Sequence, residues 1–369
     1  MCDKSRAEML TVLRGLLAEE RDSIDDRWQR VILEKRDIDA AAEGQVLEVP
    51  GTLAGRATED VSNELREMVG AFRQEHGRSP SLVRVGKDVV YSVVRAEPGS
   101  GLSLAGKVAL VTGSAGAIGA GICRGLLEAG CNVVATDISA ENLASLVEDL
   151  SSIATAEITG VVTDVTDEDS VAAAYDQAAL KWGGVDIVVI NAGIAHVALL
   201  VDMDPEAFRN LEKVNIEGTL LTLAESGRHM MRQGTGGDIV LTSTKNVFAP
   251  GASFGAYSST KAGSHQLARI ASLEFAADDI RVNMVSPDAV FSDGDRKSGL
   301  WAEVGPSRMK ARGLDEDGLE EYYRGRNLLK SAVTPRHVFN AVHFFVTRQT
   351  PTTGATIPVD GGLPDATPR

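Results

Sequence analysis

The stretch from Lys107 to Asp137 restricts the folding of this chain more than any other. A short apolar run, Val108 to Val111, predicts a strand and leads into a small-residue turn, Thr112 to Gly119. Ile122, Leu126 and Leu127 then recur at helical spacing, and Gly130 predicts the stop. A second run, Val133 to Ala135, predicts a strand that ends on Asp137. Strand, glycine-rich turn, helix and strand in this order make a dinucleotide-binding unit. Gly113, Gly116 and Gly119 let the backbone approach a pyrophosphate, and the helix N-terminus offers unpaired N–H groups. The Asp137 carboxylate meets ribose hydroxyls. Ser114, Ala117 and Ile118 in the turn, and Ile138 beside the carboxylate, complete this candidate nucleotide site.

A chain of 369 residues holds one large α/β domain plus an appendage, or two modest domains. A net charge of −15 argues against nucleic acid or an anionic membrane as a partner, because both repel such a surface. Cys2, Cys123 and Cys131 form no metal-ligand spacing and no disulfide framework. A reduced, cytoplasmic protein without a metal is therefore expected. No apolar run reaches the roughly 18 residues of a membrane span, and the N-terminal segment, broken by Arg14, Glu19 and Glu20, does not read as a signal peptide.

Residues 1–100 carry little chemistry and read as a small, mainly helical accessory extension. Met9, Leu10, Leu13, Leu16 and Leu17 predict one helix; Ile24, Trp28, Val31 and Ile32 predict a second; a third runs from Thr58 to Gly77. Leu82–Val85 and Val89–Val94 alternate about Gly86-Lys87-Asp88, which predicts a hairpin, and Glu97 to Gly101 reads as a linker. From 101 to 369 strands and helices alternate. Runs at Ile158–Val162, Val185–Ile190, Asp238–Thr242, Ile280–Val285 and Ala355–Val359 complete a seven-stranded, doubly wound parallel sheet of Rossmann type. Pro358 suits an edge strand. Long helices are predicted over 205–233, with Asn215 in its middle, and 256–276.

The chemistry lies at the start of that last helix. In Tyr257-Ser-Ser-Thr-Lys261 the spacing of i and i+4 puts a phenol and an ammonium on one face. A nearby cation is expected to lower the tyrosine pKa, so that the phenol can exchange a proton as a hydride leaves an alcohol. Thr244, with Ser243 beside it, follows the preceding strand and offers a hydroxyl to a substrate carbonyl. Asn215 can hold a water that relays protons to Lys261.

Thr112-Gly113-x-x-x-Ala117-Ile118-Gly119, Asn191-Ala192-Gly193, Asn215, Tyr257-x-x-x-Lys261 and Pro287 to Ser292 together resemble the short-chain dehydrogenase/reductase family over residues 103–363. The resemblance implies Tyr257 as general acid/base, Lys261 as the group that lowers its pKa and binds nicotinamide ribose, Thr244 or Ser243 as the substrate-positioning hydroxyl, and Asn215 as relay support. It extends the cofactor set to Asp164 and Val165 beside adenine, Asn191, Ala192, Gly193, Pro287, Val290 and Ser292. Asp137, with no Arg or Lys close by in the turn to hold a 2′-phosphate, implies NAD. The C-terminal segment implies a homo-oligomer, dimer or tetramer.

Asp288, where the family commonly has glycine, and the segments Lys245–Gly251, Ser298–Trp301 and Glu321–Lys330 resemble the dehydrogenase half of bifunctional rhamnulose-1-phosphate aldolase/alcohol dehydrogenases. That implies a small polyol, sugar or hydroxyaldehyde, with or without a phosphate, under a substrate lid over residues 292–330. Arg296, Lys297, Arg324 and Arg326 are its candidate anion contacts, although solvated surface charge is an equal reading. The first hundred residues lack the aldolase histidine cluster, so no aldolase activity is expected. Two other readings stay open: an NAD-sensing scaffold with weak turnover, and a reductase of a larger ketone.

Overall fold

Seven strands rich in valine and isoleucine form one parallel sheet, whose five inner strands are buried on both faces because helices cover each side. The computed structural model describes residues 3–21, 26–37, 45–53, 56–87, 89–96, 101–294 and 296–366. Cys2, Ile24, Asp88 and most of the predicted linker lie outside the described residues.

In chain order the N-terminal part is α1 (Asp3–Leu17), β1 (Glu19–Glu20), β2 (Trp28–Gln29), β3 (Val31–Arg36), β4 (Val46–Val49), α2 (Thr58–His76), β5 (Leu82–Val85) and β6 (Val89–Arg95). The extension is therefore mixed α and β, not mainly helical. Its sheet runs β3-β6-β5-β4, with β5 and β6 forming the predicted hairpin. Among the described residues the expected second helix is replaced by strands: Trp28 lies in β2, and Val31 and Ile32 open β3. Val31 and Leu33 pack with α1, while Ile32 points the other way into the core beside Trp182. A strand buried on both faces shows no alternation, and its apolar run imitates part of a helix.

The large sheet follows as β7 (Val108–Thr112), α3 (Ala117–Glu128), β8 (Asn132–Asp137), α4 (Ala140–Leu150), β9 (Ile158–Val162), α5 (Glu168–Trp182) and β10 (Ile187–Ile190). Next come α6 (Pro205–Glu212), α7 (Gly218–Gln233), β11 (Gly237–Thr242), α8 (Gly255–Glu274) and β12 (Ile280–Pro287). A small hairpin, β13 (Ser292–Asp293) with β14 (Arg296–Lys297), precedes α9 (Gly299–Arg312), α10 (Glu316–Arg326), α11 (Pro335–Val346) and β15 (Thr356–Val359). The strand order is β15-β12-β11-β10-β7-β8-β9. Pro358 thus sits on an edge strand, where its missing N–H costs no ladder bond.

Two details position the site. The single helix expected over 205–233 is interrupted by a π-helical turn, Lys213–Glu217, that holds Asn215. Helix α3 also rests on α11 with almost no gap: a β-carbon on Gly121 would stand 2.2 Å from Pro335, and one on Gly125 2.3 Å from the Phe339 ring.

The extension docks at the N-terminal ends of the parallel strands, away from the turn after β7. Arg14 of α1 and Arg30 are buried and converge on Asp186, just before β10. Burial pushes the Asp186 carboxyl pKa up, but the two guanidinium groups and the Val108 N–H outweigh it and hold it below the usual range. Gly15 meets the Gln233 carbonyl so closely that an added β-carbon would lie 1.7 Å from it. Cys123 and Cys131 are fully buried, and burial raises both thiol pKa values. Among the described residues no helix is long and apolar enough to cross a membrane.

Candidate active site

The turn after β7 has the geometry its glycines demand. Gly113 has φ +61°, and a β-carbon there would lie 2.8 Å from Ala192. Gly119 is packed against Gly113 and Ser114, so it serves helix–strand packing rather than ligand contact. Gly116 has no close neighbour on its open side and begins α3 without a side-chain cap, leaving first-turn N–H groups at Ala117 and Ile118 toward a cavity. That cavity, about 810 Å³, runs from Asp137 past Asn191, Ala192 and Gly193 to Tyr257 and the helices of the 292–330 segment. Asp137 Oδ2 accepts the Ala115 N–H and Oδ1 the Ser139 N–H, each at 3.0 Å, which fixes the carboxylate at the cavity end.

Ser114, Ile138, Asp164, Val165 and Ser292 are not among the residues that line this cavity. The Ser114 hydroxyl donates to the Val111 carbonyl at 2.7 Å and accepts the Thr136 N–H, and its own N–H binds the Thr136 carbonyl. Ser114 therefore locks β7 to β8 from inside and does not line the cavity. Asp164 Oδ1 accepts both the N–H and the hydroxyl of Thr166, and Val165 packs on Gly218. Ile138 is 68% exposed beside the cavity end, and Ser292 belongs to the exposed hairpin β13–β14. Pro287 and Val290 do line the cavity.

At the other end Tyr257 and Lys261 share one face of α8, both buried. The expected depression of the tyrosine pKa is not found: burial pushes Tyr257 up to about 12, and only a hydrogen bond with the Thr244 hydroxyl pulls the other way. Burial also lowers Lys261 to about 8, and its Nζ donates to the Thr242 carbonyl at 3.1 Å. Desolvation therefore governs both groups. Ser243 and Thr244 differ in their partners. The Ser243 hydroxyl is bound to His265 Nδ1 at 2.9 Å, whereas the Thr244 hydroxyl accepts the Asn246 N–H at 3.3 Å and lies on the side of the phenol.

Asn215 is fully buried behind the cavity wall. Its Oδ1 accepts the Ile194 N–H at 2.9 Å, and its Nδ2 donates to the Ile194 carbonyl and to Thr260 Oγ1. A β-carbon on Gly193 would lie 3.0 Å from Lys261 Nζ and 3.1 Å from Asn215 Oδ1, so a side chain there would press on both groups.

The segment after β12 closes the cavity. Leu300, Trp301 and Val304 of α9 pack on Phe254 and Tyr257. Trp301 stacks on Phe291 at 4.4 Å and meets Tyr323 edge-on at 4.7 Å. Of the four candidate anion contacts, Arg326 lines the cavity, bound through Nη2 to both Asp288 oxygens at 2.7 and 3.0 Å, and the other three follow the surface-charge reading. Arg296 binds Asp149, Lys297 binds Glu316 and Arg324 binds Glu321, all away from the cavity lining. The sequence reading missed Lys245, Arg308 and Arg312, which do line it. It also missed Thr242, whose buried hydroxyl has no protein partner at the cavity wall, and His265, one turn after Lys261.

A glycine-turn cradle, a carboxylate at one end of a cavity and a buried tyrosine with its threonine at the other define a nucleotide-binding oxidoreductase site. The chain belongs to the short-chain dehydrogenase family, which residues 107–302 match. It is 36% identical over 265 residues to an uncharacterized oxidoreductase, YuxG, of Bacillus subtilis, covering 71% of this chain but only 38% of that longer relative. It is 35% identical over 265 residues to a mitochondrial (−)-isopiperitenol/(−)-carveol dehydrogenase of Mentha piperita, covering 70% of this chain and 94% of the relative. Among solved structures, sorbitol-6-phosphate 2-dehydrogenase of Erwinia amylovora superimposes with a TM-score of 0.62 at 28% identity, over 69% of this chain and 98% of that one. The protein is an oxidoreductase of this family acting on alcohol or carbonyl groups with a nicotinamide cofactor.

Proposed function

We propose that the protein interconverts an alcohol and a carbonyl on a small polyol, sugar or hydroxyaldehyde, with NAD as cofactor. The observation that carries this reading is the single cavity joining the Asp137 carboxylate to the Tyr257–Thr244 pair. Asp137, Gly116 and the first turn of α3 would hold the adenosine and pyrophosphate, and Ile138 leaves an exposed apolar face for adenine. The basic residues lining the cavity are Lys245, Lys261, Arg308, Arg312 and Arg326, all distant in sequence from the Asp137 turn, which favours NAD over NADP. When bound, the nicotinamide supplies an acceptor or donor for hydride.

The chain's own residues then manage the proton. Tyr257 takes the alcohol proton, or returns it to a carbonyl oxygen, and Thr244 fixes that oxygen by a second hydrogen bond. Lys261 and Asn215, both beside Gly193, would form the inner end of the proton route. The polyol or sugar class rests on the resemblance of Asp288 and the 321–330 segment to the dehydrogenase half of the aldolase fusions. We further take residues 1–100 as an accessory unit without aldolase chemistry, residues 101–369 as the dehydrogenase domain, and residues 292–330 as its lid. Leu220 of α7 and Ile270 and Leu273 of α8, apolar and exposed, support a homo-oligomer.

The test is NAD reduction across a panel of polyols and sugars. Tyr257→Phe is expected to lose a factor of about 10² to 10⁴ in kcat. Turnover that survives the substitution would sink the mechanism. NAD binding without turnover on any compound would favour a sensor.

A further inference from the structure

The lid end of the cavity carries more positive charge than its surroundings neutralise. Lys245, Arg308, Arg312 and Arg326 line it, against the carboxylates of Asp288 and Glu303. Asp288 is committed to Arg326, and Glu303 lies 3.7 Å from His196. Arg308 makes no ion pair among the described residues: it donates to the Ala252 carbonyl at 3.1 Å and lies over the Phe254 ring. Arg312 likewise has only the Tyr322 ring, at 4.6 Å. The Nε atoms of Arg308 and Arg326 are both buried without an acceptor. Buried donors left unpaired are costly, and a chain with a net charge of −15 does not gather cations in a cavity by composition alone.

The groups also feel one another. Burial lowers the Lys245 pKa; Asp288 opposes the shift, and Arg326 and Arg308 reinforce it. Burial lowers the Arg308 pKa too, with Arg312 and Arg326 adding to it. Two positive charges remain after the carboxylates are matched, and a phosphate monoester carries about −1.5 to −2 near neutral pH. A carboxylate, with one charge, would leave the surplus half answered. Guanidinium forks also match phosphate geometry.

We propose that Arg308, Arg312 and Lys245 seat a terminal phosphate on the substrate, with the carbon to be oxidised held at Tyr257. This rests on the oxidoreductase reading above. It assigns the phosphate seat to residues that the chain places on α9 and after β11, not to the basic run of 321–330. The pyrophosphate seat lies at the opposite end, by Gly116 and Asp137, so the surplus is not explained by the cofactor.

The test pairs kinetics with binding on the full chain. A hexitol, its terminal phosphate ester and the matching aldonate are compared by kcat/KM in wild type and in Arg308→Gln/Arg312→Gln. The ester is expected to be preferred by at least about tenfold, and the double variant should erase most of that preference. In parallel, inorganic phosphate is titrated calorimetrically into the NAD-saturated protein, with saturable binding expected in wild type and lost in the variant. Thermal unfolding checks that the variant is folded, and Arg312→Gln alone, which removes only a ring contact, serves if it is not. An unchanged preference ratio, a preference for the aldonate, or a variant that weakens NAD rather than phosphate would each overturn the proposal while leaving the oxidoreductase reading in place. Phosphate binding lost in the variant, with no turnover on any compound, would keep the seat and overturn that reading instead.

Discussion

Replacing Arg14 by methionine tests how the N-terminal unit is fastened to the nucleotide-binding sheet. The guanidinium donates from Nη1 and Nη2 to the two Asp186 oxygens at 2.9 and 2.7 Å, from Nη1 to Gln233 at 3.0 Å and from Nε to the Val31 carbonyl at 2.6 Å. Methionine keeps much of the stem's packing and removes every donor. Both charges are 1% exposed, so solvent screens little of the interaction. Breaking such a pair from one side costs about 3–5 kcal/mol. Asp186 keeps Arg30 at 3.1 Å, the Val108 N–H at 2.8 Å and the Gln233 amide at 3.2 Å, which places the loss near the lower end, about 3 kcal/mol. Urea unfolding read by far-UV circular dichroism and by fluorescence would measure it. Trp182, close to the junction, and Trp28, within the extension, report on the two sides. A double-mutant cycle with Asp186→Asn should give a coupling of at least about 1.5 kcal/mol. A loss under about 1 kcal/mol, or additive single effects, would show that the network does not hold the unit in place.

Asp137→Ala should weaken NAD binding by roughly 10- to 100-fold and erode the preference over NADP, because charge-assisted bonds to ribose are lost; an unchanged preference in cofactor titrations would refute the carboxylate's role. Thr244→Ala should lower kcat by about 10²-fold and Ser243→Ala by only a few-fold, since the Ser243 hydroxyl serves His265; steady-state kinetics showing the reverse order would exchange their roles. Asp176 has its pKa pushed up to about 6 by burial, with Lys4 opposing. The folded state therefore binds more protons than the unfolded one between roughly pH 4 and 6, so this carboxyl's contribution falls as pH rises through that window. Asp176→Asn should stabilise the protein by about 1 kcal/mol at pH 7, after allowance for its partial exposure, and by nearly nothing near pH 4. Equal gains at both pH values in thermal unfolding would remove the electrostatic cause.

The parts of the site that were legible in the sequence are those fixed by local geometry. Gly113, Asp137 and the Tyr257–Lys261 pair owe their places to a turn, a strand end and a helix repeat, each readable from a few neighbouring residues. What failed depended on distant neighbours. β3 carries no alternation because α1 covers one face and α5 the other. Ser243 and Thr244, adjacent in sequence, point in different directions, and only the position of His265 shows which is spent. The sign of the charge on residues 292–330 was visible, but not its direction: Arg296 and Arg324 find carboxylates outside, while Arg308 and Arg312 line the cavity, each over a ring, Phe254 and Tyr322. The tyrosine pKa was misjudged because the burial that raises it is invisible in a motif.

The contact between α3 and α11 bears on how this protein can diversify. Gly121 and Gly125 touch Pro335 and Phe339 with no room for a single methyl group. Any side chain added on α3 has to wait until the opposing ring has been lost, and a larger ring on α11 has no space until the backbone parts. The two helices can therefore change only as a pair, in the right order. Because α3 carries the cradle at its N-terminus and α11 begins just after the segment 292–330 that closes the cavity, change at that end is tied, through two glycines, to the shape of the nucleotide end.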